Sequence, residues 1–141
     1  MSFVLDASVA TCWLLGDGAA AARGYAMGVL EAMKAEDNRA IVPVIWNLEV
    51  ANVIAKAEQK GLLVEAQSEA FLEMLAGLDI DVDSDTVATA LSDTLQIARR
   101  YRLSAYDASY MELSLRSGIP LATLDQDLNK AARRAGIKRY I

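Results

Sequence analysis

The sequence predicts an α/β fold: a central, mainly parallel sheet of four to five short strands, sandwiched between helices in three layers. Two observations lead there. Short, nearly all-apolar runs alternate along the chain with longer segments of helical periodicity, the pattern of a sheet covered on both faces. Stop signals also fall where the helical patterns end, with Gly61, Gly77 and Gly118 each just past one. The chain of 141 residues, 54% apolar, suffices for one domain spanning 1–141 with a packed core.

Phe3-Val4-Leu5 reads as a buried strand ending at Asp6, and Ser8 to Leu15 as a short helix. After Gly16-Asp17-Gly18, an alanine-rich helical stretch runs to about Glu36. Ala40-Ile41-Val42 gives a second strand closed by Pro43, followed by an amphipathic helix from Ile45 to Lys60. Val64 to Ala76 is the next helix. Asp79 to Asp83 then alternates strictly, as a strand with one wet face does. Asp85 is placed to cap a long helix to about Tyr101, and Ser104 opens another to Ser117. Pro120 to Leu124 reads as a strand, Asp125 to Ala135 as a helix, and Lys138 to Ile141 as a last short strand.

Composition removes whole classes of chemistry. With no histidine, there is no Ser-His-Asp or Cys-His catalysis and no histidine-ligated zinc. The single cysteine, Cys12, allows neither an internal disulfide nor a cysteine metal site, and it fits a reducing, cytoplasmic setting. The N-terminus lacks a basic region and reaches Asp6 too early for a secretory signal, and no apolar run is long enough to span a bilayer. Ionic chemistry must therefore come from carboxylates, lysines, hydroxyls or a hard cation held by oxygen. The net charge of −5 runs against general nucleic-acid binding.

Ligands of open α/β sheets bind beyond the carboxyl ends of the strands. Asp6 and Asp125 each follow a predicted strand, while Glu49 and Asp107 lie just inside helices. Each has a structural explanation. Asp125 is a good helix N-cap, Ser104 and Asp107 have capping-box spacing, and Glu49 favours a helix dipole. Asp6 is harder to explain in that way, because a carboxylate closing a buried strand needs a partner. Two carboxylates about 4 Å apart repel by about 4 kcal/mol at an effective dielectric of 20. Four in one crevice therefore call for protons or a cation, and Mg²⁺ or Mn²⁺ suits an all-oxygen site.

The segment Val4-Leu5-Asp6-Ala7-Ser8-Val9, and Pro43 through Glu49 to Asn52-Val53, resemble the opening motifs of PIN-domain ribonucleases. Leu103-Ser104-Ala105-Tyr106-Asp107-Ala108-Ser109-Tyr110 and Gly118-Ile119-Pro120-Leu121-Ala122-Thr123-Leu124-Asp125 resemble the later ones. The likeness is closest to VapC-like toxins of toxin–antitoxin pairs. It implies a PIN-like α/β/α sandwich in which Asp6, Glu49, Asp107 and Asp125 bind Mg²⁺ or Mn²⁺ and hydrolyse RNA through activated water. Asp6 and Asp107 would be the principal ligands, Glu49 would orient water, and Asp125 would complete the pocket. Ser8 and Thr123 would place hydroxyls against these acids, though helix-cap and strand-end roles serve them equally well; Asn52 would support Glu49 or form a polar edge of its helix, and Asp127, a further supporting candidate, is better explained by its helix dipole. The resemblance also implies a homodimer and inhibition by a cognate antitoxin.

Other readings weigh less. Asp79, Asp81, Asp83 and Asp85 lack the glycine and glutamate of a calcium loop, since those positions hold Ser84 and Ala90; an edge strand guarded by charge is simpler. Arg99-Arg100 with Arg102, and Arg133-Arg134 with Lys138-Arg139, suit helix C-termini, or else RNA phosphate or an acidic partner. An aspartyl-phosphate phosphatase needs an acid where Ser8 stands. A receiver-like signalling domain needs paired acids after the first strand and a lysine after the last. A PIN fold that binds or assembles without turnover is the remaining alternative.

Overall fold

The computed structural model describes residues 1–141. Four parallel strands form the sheet in the order β3-β2-β1-β4: β1 Ser2–Leu5, β2 Arg39–Val42, β3 Ile80–Val82 and β4 Leu121–Ala122. Phe3, Val4 and Leu5 are wholly buried although successive side chains point to opposite faces, so both faces of β1 are covered. The helices that cover the sheet are α1 Ala7–Leu15, α2 Ala20–Met33, α3 Trp46–Gln59, α4 Glu65–Ala76, α5 Thr86–Thr89, α6 Leu95–Tyr101, α7 Ala105–Ser117 and α8 Gln126–Arg134. Helix α7 packs directly on β1 and β4, and α1 lies against α2 and α3. Trp13 Nε1 donates to the Ala26 carbonyl at 2.7 Å, which joins α1 to α2. The Phe3 and Tyr140 rings stack at 3.7 Å, so the C-terminal residues close one side of the core.

The carboxyl ends of the strands share one edge. The registers Val4↔Leu121 and Leu5↔Ala122 make β1 and β4 neighbours, so the residues following them meet. Strand β2 flanks β1 on its other side and delivers the chain to α3.

Three boundaries depart from the sequence reading. The long helix expected from Asp85 to Tyr101 is instead α5, a π-helical turn over Ala90–Thr94, and α6. Asp85 makes no side-chain cap. Asp83 supplies the turn: its Oδ2 accepts from the Asp85 backbone at 3.2 Å and from the Thr86 hydroxyl at 2.9 Å. Threonine favours such side-chain bonding over regular helix, and Thr89 Oγ1 returns to the Thr86 carbonyl and donates to Glu112. The last expected strand reduces to one bridge, Leu121↔Arg139. Strand β4 is equally short, because the Thr123 hydroxyl takes up the Asp125 N–H at 3.0 Å and turns the chain away from the ladder.

Strand β3 is an edge strand, and Arg39 pairs with Asp79 and Asp81 across its exposed face. Asp83 is not part of that solvated row. Arg116 binds it at 2.7 Å, and the guanidinium holds its carboxyl below the usual carboxylate range. Arg116 also binds buried Glu112 at 2.9 Å, so one cation ties α7 to the end of β3. Breaking a buried pair costs 3–5 kcal/mol, and the partly wet Arg116 head lowers this. Arg116→Met is expected to lose about 2 kcal/mol in urea unfolding at pH 7. The loss should shrink as pH falls through the Asp83 titration, where the partner carboxyl becomes neutral.

Candidate metal centre

Asp6 lies immediately after β1, with an extended backbone that positions it at the start of α1 without a capping bond. It is 4% exposed. Its Oδ2 accepts from the Ser8 hydroxyl at 2.6 Å and the Thr123 hydroxyl at 2.7 Å. Ser8 Oγ in turn accepts from the Leu124 backbone at 3.0 Å, and Thr123 Oγ1 accepts from Asp125. These bonds lock the β1–α1 turn to the β4–α8 turn. Burial pushes the Asp6 carboxyl up, the two hydroxyls oppose it, and Asp125 adds to the rise.

The other acids approach from separate elements. Asp125 caps α8, its Oδ1 accepting from the Leu128 N–H at 2.8 Å. Asp107 stands in the first turn of α7, its own N–H held by the Ser104 hydroxyl at 3.0 Å. Only this half of the capping box forms, which leaves the Asp107 carboxylate free of the cap. A helix N-terminus should favour its ionised form. Burial and the repulsion of Asp125, Asp6 and Asp127 win, and they push its carboxyl up to about 6. Glu49, in the first turn of α3, is also raised by burial and by Asp6 and Asp107, against a hydrogen bond from Tyr110. The mutual effects show that all four carboxylates share one field. Asp127 joins it from the exposed first turn of α8. Asn52 is exposed on α3, and Tyr110 rather than Asn52 bonds Glu49.

Tyr110 is the contributor that sequence reasoning missed. It is wholly buried, its phenol donates to Glu49 Oε1, and its own ionisation is driven far up by burial. Its spacing offered a sign: Tyr110 lies three residues after Asp107 on the same helix face, and a buried tyrosine hydroxyl needs a partner.

The donor set suits a hard divalent cation. Asp6, Glu49 and Asp125 each engage one oxygen with protein donors and leave the other without a side-chain donor. The ion pairs of the structure use Lys34, Arg39 and Arg116, so no protein cation neutralises the group. No three acidic groups converge tightly enough to enclose an ion outright. Mg²⁺ does not require that, since it takes one or two carboxylates and completes its shell with water.

Residues 3–134 match the PIN domain family. The chain belongs to the PIN-domain family. Ribonuclease VapC3 of Pyrobaculum aerophilum is 34% identical over 80 residues, a stretch covering 57% of this chain and 61% of that protein. The match therefore spans less than two thirds of the relative's length. The fold agrees with two solved structures. PAE2754 from Pyrobaculum aerophilum aligns with a TM-score of 0.65 at 20% identity, over 93% of this chain and 87% of that one. VapBC2 from Rickettsia felis, solved bound to a promoter DNA fragment, aligns at 0.66 with 12% identity, over 99% and 98%.

The raised Asp107 carboxyl carries a stability cost. A native carboxyl near 6 against an ordinary value of 3.8 binds more protons than the unfolded chain between these values, so stability falls as pH rises through that window. Asp107→Asn should therefore melt higher than wild type at pH 7.5 in metal-free buffer. The difference should vanish as pH drops toward 4, in thermal melts followed by circular dichroism.

Proposed function

We propose that this PIN-domain chain is a divalent-metal-dependent endoribonuclease, the toxin of a VapBC-type pair, active in the cytoplasm as a homodimer and silenced by its antitoxin. The observation that carries this reading is the group of four carboxylates at the carboxyl edge of the sheet, with Asp6 and Asp125 joined through Thr123, Asp6 and Asp107 each repelling Glu49, and no ion-pairing protein cation among them. The relationship to Ribonuclease VapC3 supports an RNA phosphodiester as substrate. The likeness to VapBC2 supports a paired protein partner.

Asp6 and Asp107 would hold Mg²⁺ or Mn²⁺, with Asp125 completing the negative pocket. When bound, such a cation polarises a phosphoryl oxygen and offsets the charge that develops on it. Glu49, oriented by Tyr110, keeps Oε2 available to accept a hydrogen bond from the attacking water. Ser8 and Thr123 hold the Asp6 carboxylate in one orientation, so little rearrangement is needed as charge builds.

The test is cleavage of structured RNAs by the purified, partner-free chain in Mg²⁺ or Mn²⁺. Wild type should cut and EDTA should abolish cutting. Asp6→Asn and Asp107→Asn should each lose at least about a hundredfold in rate, as expected when a group stabilising transition-state charge is removed. Metal binding with no cleavage of any RNA would favour a PIN fold acting as an assembly module. Full activity in both variants would remove the assigned centre.

A further inference from the structure

More than half of the 14 basic residues fall between Arg99 and Arg102 or between Lys130 and Arg139. The fold brings these two distant segments together. The guanidinium groups of Arg100 and Arg134 both approach the Tyr101 ring, at 5.7 Å and 5.5 Å from its centroid. Beside it runs a groove of about 300 Å³ lined by Tyr101, Arg102, Leu103, Asp127, Lys130 and Arg134. None of its basic side chains has an ion-pair partner. Arg102 occupies the left-handed region (φ 55°), which arginine seldom adopts, where the chain bends from α6 toward α7.

None of the four carboxylates lines the groove, and Asp127 is what links it to them. Asp127 lines it and also repels Asp107, while Leu103 and Ser104 lead from its wall into the helix that carries Asp107. Asp127, Lys130 and Arg134 recur on one face of α8 with helical spacing, so the groove descends along that helix. Attraction to the ring gathers like-charged guanidinium groups that an anion would stabilise.

We propose that this groove between α8 and the α6–α7 turn binds the phosphate backbone of the RNA strand next to the bond that is cut. The proposal rests on the nuclease reading above. A continuous strand fits both surfaces, with flanking phosphates on Arg102, Lys130 and Arg134 and the reacting phosphate over the carboxylates. An acidic peptide fits only the first, because its carboxylates would be repelled at the second. The arrangement also explains how a chain of net charge −5 can hold RNA: the required cations are concentrated along one track.

The test measures binding of a labelled short single-stranded RNA by fluorescence anisotropy in EDTA, across about 50 to 200 mM salt. The triple variant Arg102→Gln, Lys130→Gln, Arg134→Gln is compared with Lys34→Gln, Lys56→Gln, Lys60→Gln, which removes the same charge from other exposed positions. The groove variant should bind about tenfold or more weakly, and its slope of log affinity against log salt should fall by about 2, near 0.7 per lost single-strand phosphate contact. The comparison variant should stay close to wild type. Equal losses in both variants would overturn the groove, as would displacement of the RNA by polyglutamate at matched charge. A groove variant that binds and cuts RNA like wild type removes the groove and leaves the nuclease reading standing. Wild type that needs the groove to bind RNA, yet cuts nothing in Mg²⁺ or Mn²⁺, does the reverse.

Discussion

A carboxylate buried at the end of the first strand sets the terms for the surrounding structure. Burying a charge is costly unless hydrogen bonds or counter-charge compensate, and Asp6 has two hydroxyls and no cation. The hydroxyls come from opposite sides of the β1/β4 junction, and each also accepts a backbone N–H from the β4–α8 turn. The network that makes burial of Asp6 tolerable therefore also fixes where Asp125 stands and ends β4 after two residues. Site and fold are specified by the same few bonds. The remaining cost appears in Glu49 and Asp107, which are pushed toward neutrality by burial and by the neighbouring acids.

Much of this was legible from residue order because it depends on local pattern. Apolar runs located β1 and β2, glycine stops bounded α3 and α7, and Ser104 and Asp125 cap their helices with side-chain bonds. Acids placed after strands or in first helical turns fall at one sheet edge once β1 and β4 pair. What pattern could not supply was partnership across the chain. Asp83 looked like one of a row of solvated acids, but Arg116, 33 positions away, makes it an anchor. The break in the α5–α6 segment follows from threonine bonding to Asp83, Glu112 and the backbone, which overrides helical periodicity. Tyr110 sat inside a recognised motif, yet its contact with Glu49 spans 61 positions.

On the proposed reading, charge segregation reconciles an acidic protein with an anionic substrate. The carboxylates gather where a divalent cation can reverse the local sign, and unpaired cations line the adjoining groove. Keeping them apart leaves each with an unmet electrostatic demand. A divalent cation would answer the first and a polyanion the second, so a metal-bound RNA strand, as proposed, would meet both. Tyr110, Ser8 and Thr123 hold orientation within the acidic set, while Tyr101 plays the matching part among the guanidinium groups.

The central claim is that the four carboxylates form one site for which protons and a divalent cation compete. Carbon-detected NMR titration of the Asp107 carboxyl, with and without saturating Mg²⁺, tests it most directly. Without metal the midpoint should lie at about 6. With Mg²⁺ it should fall by about one unit or more, as an adjacent opposite charge requires. A midpoint that Mg²⁺ does not move, or one already at the ordinary aspartate value in its absence, would contradict the account.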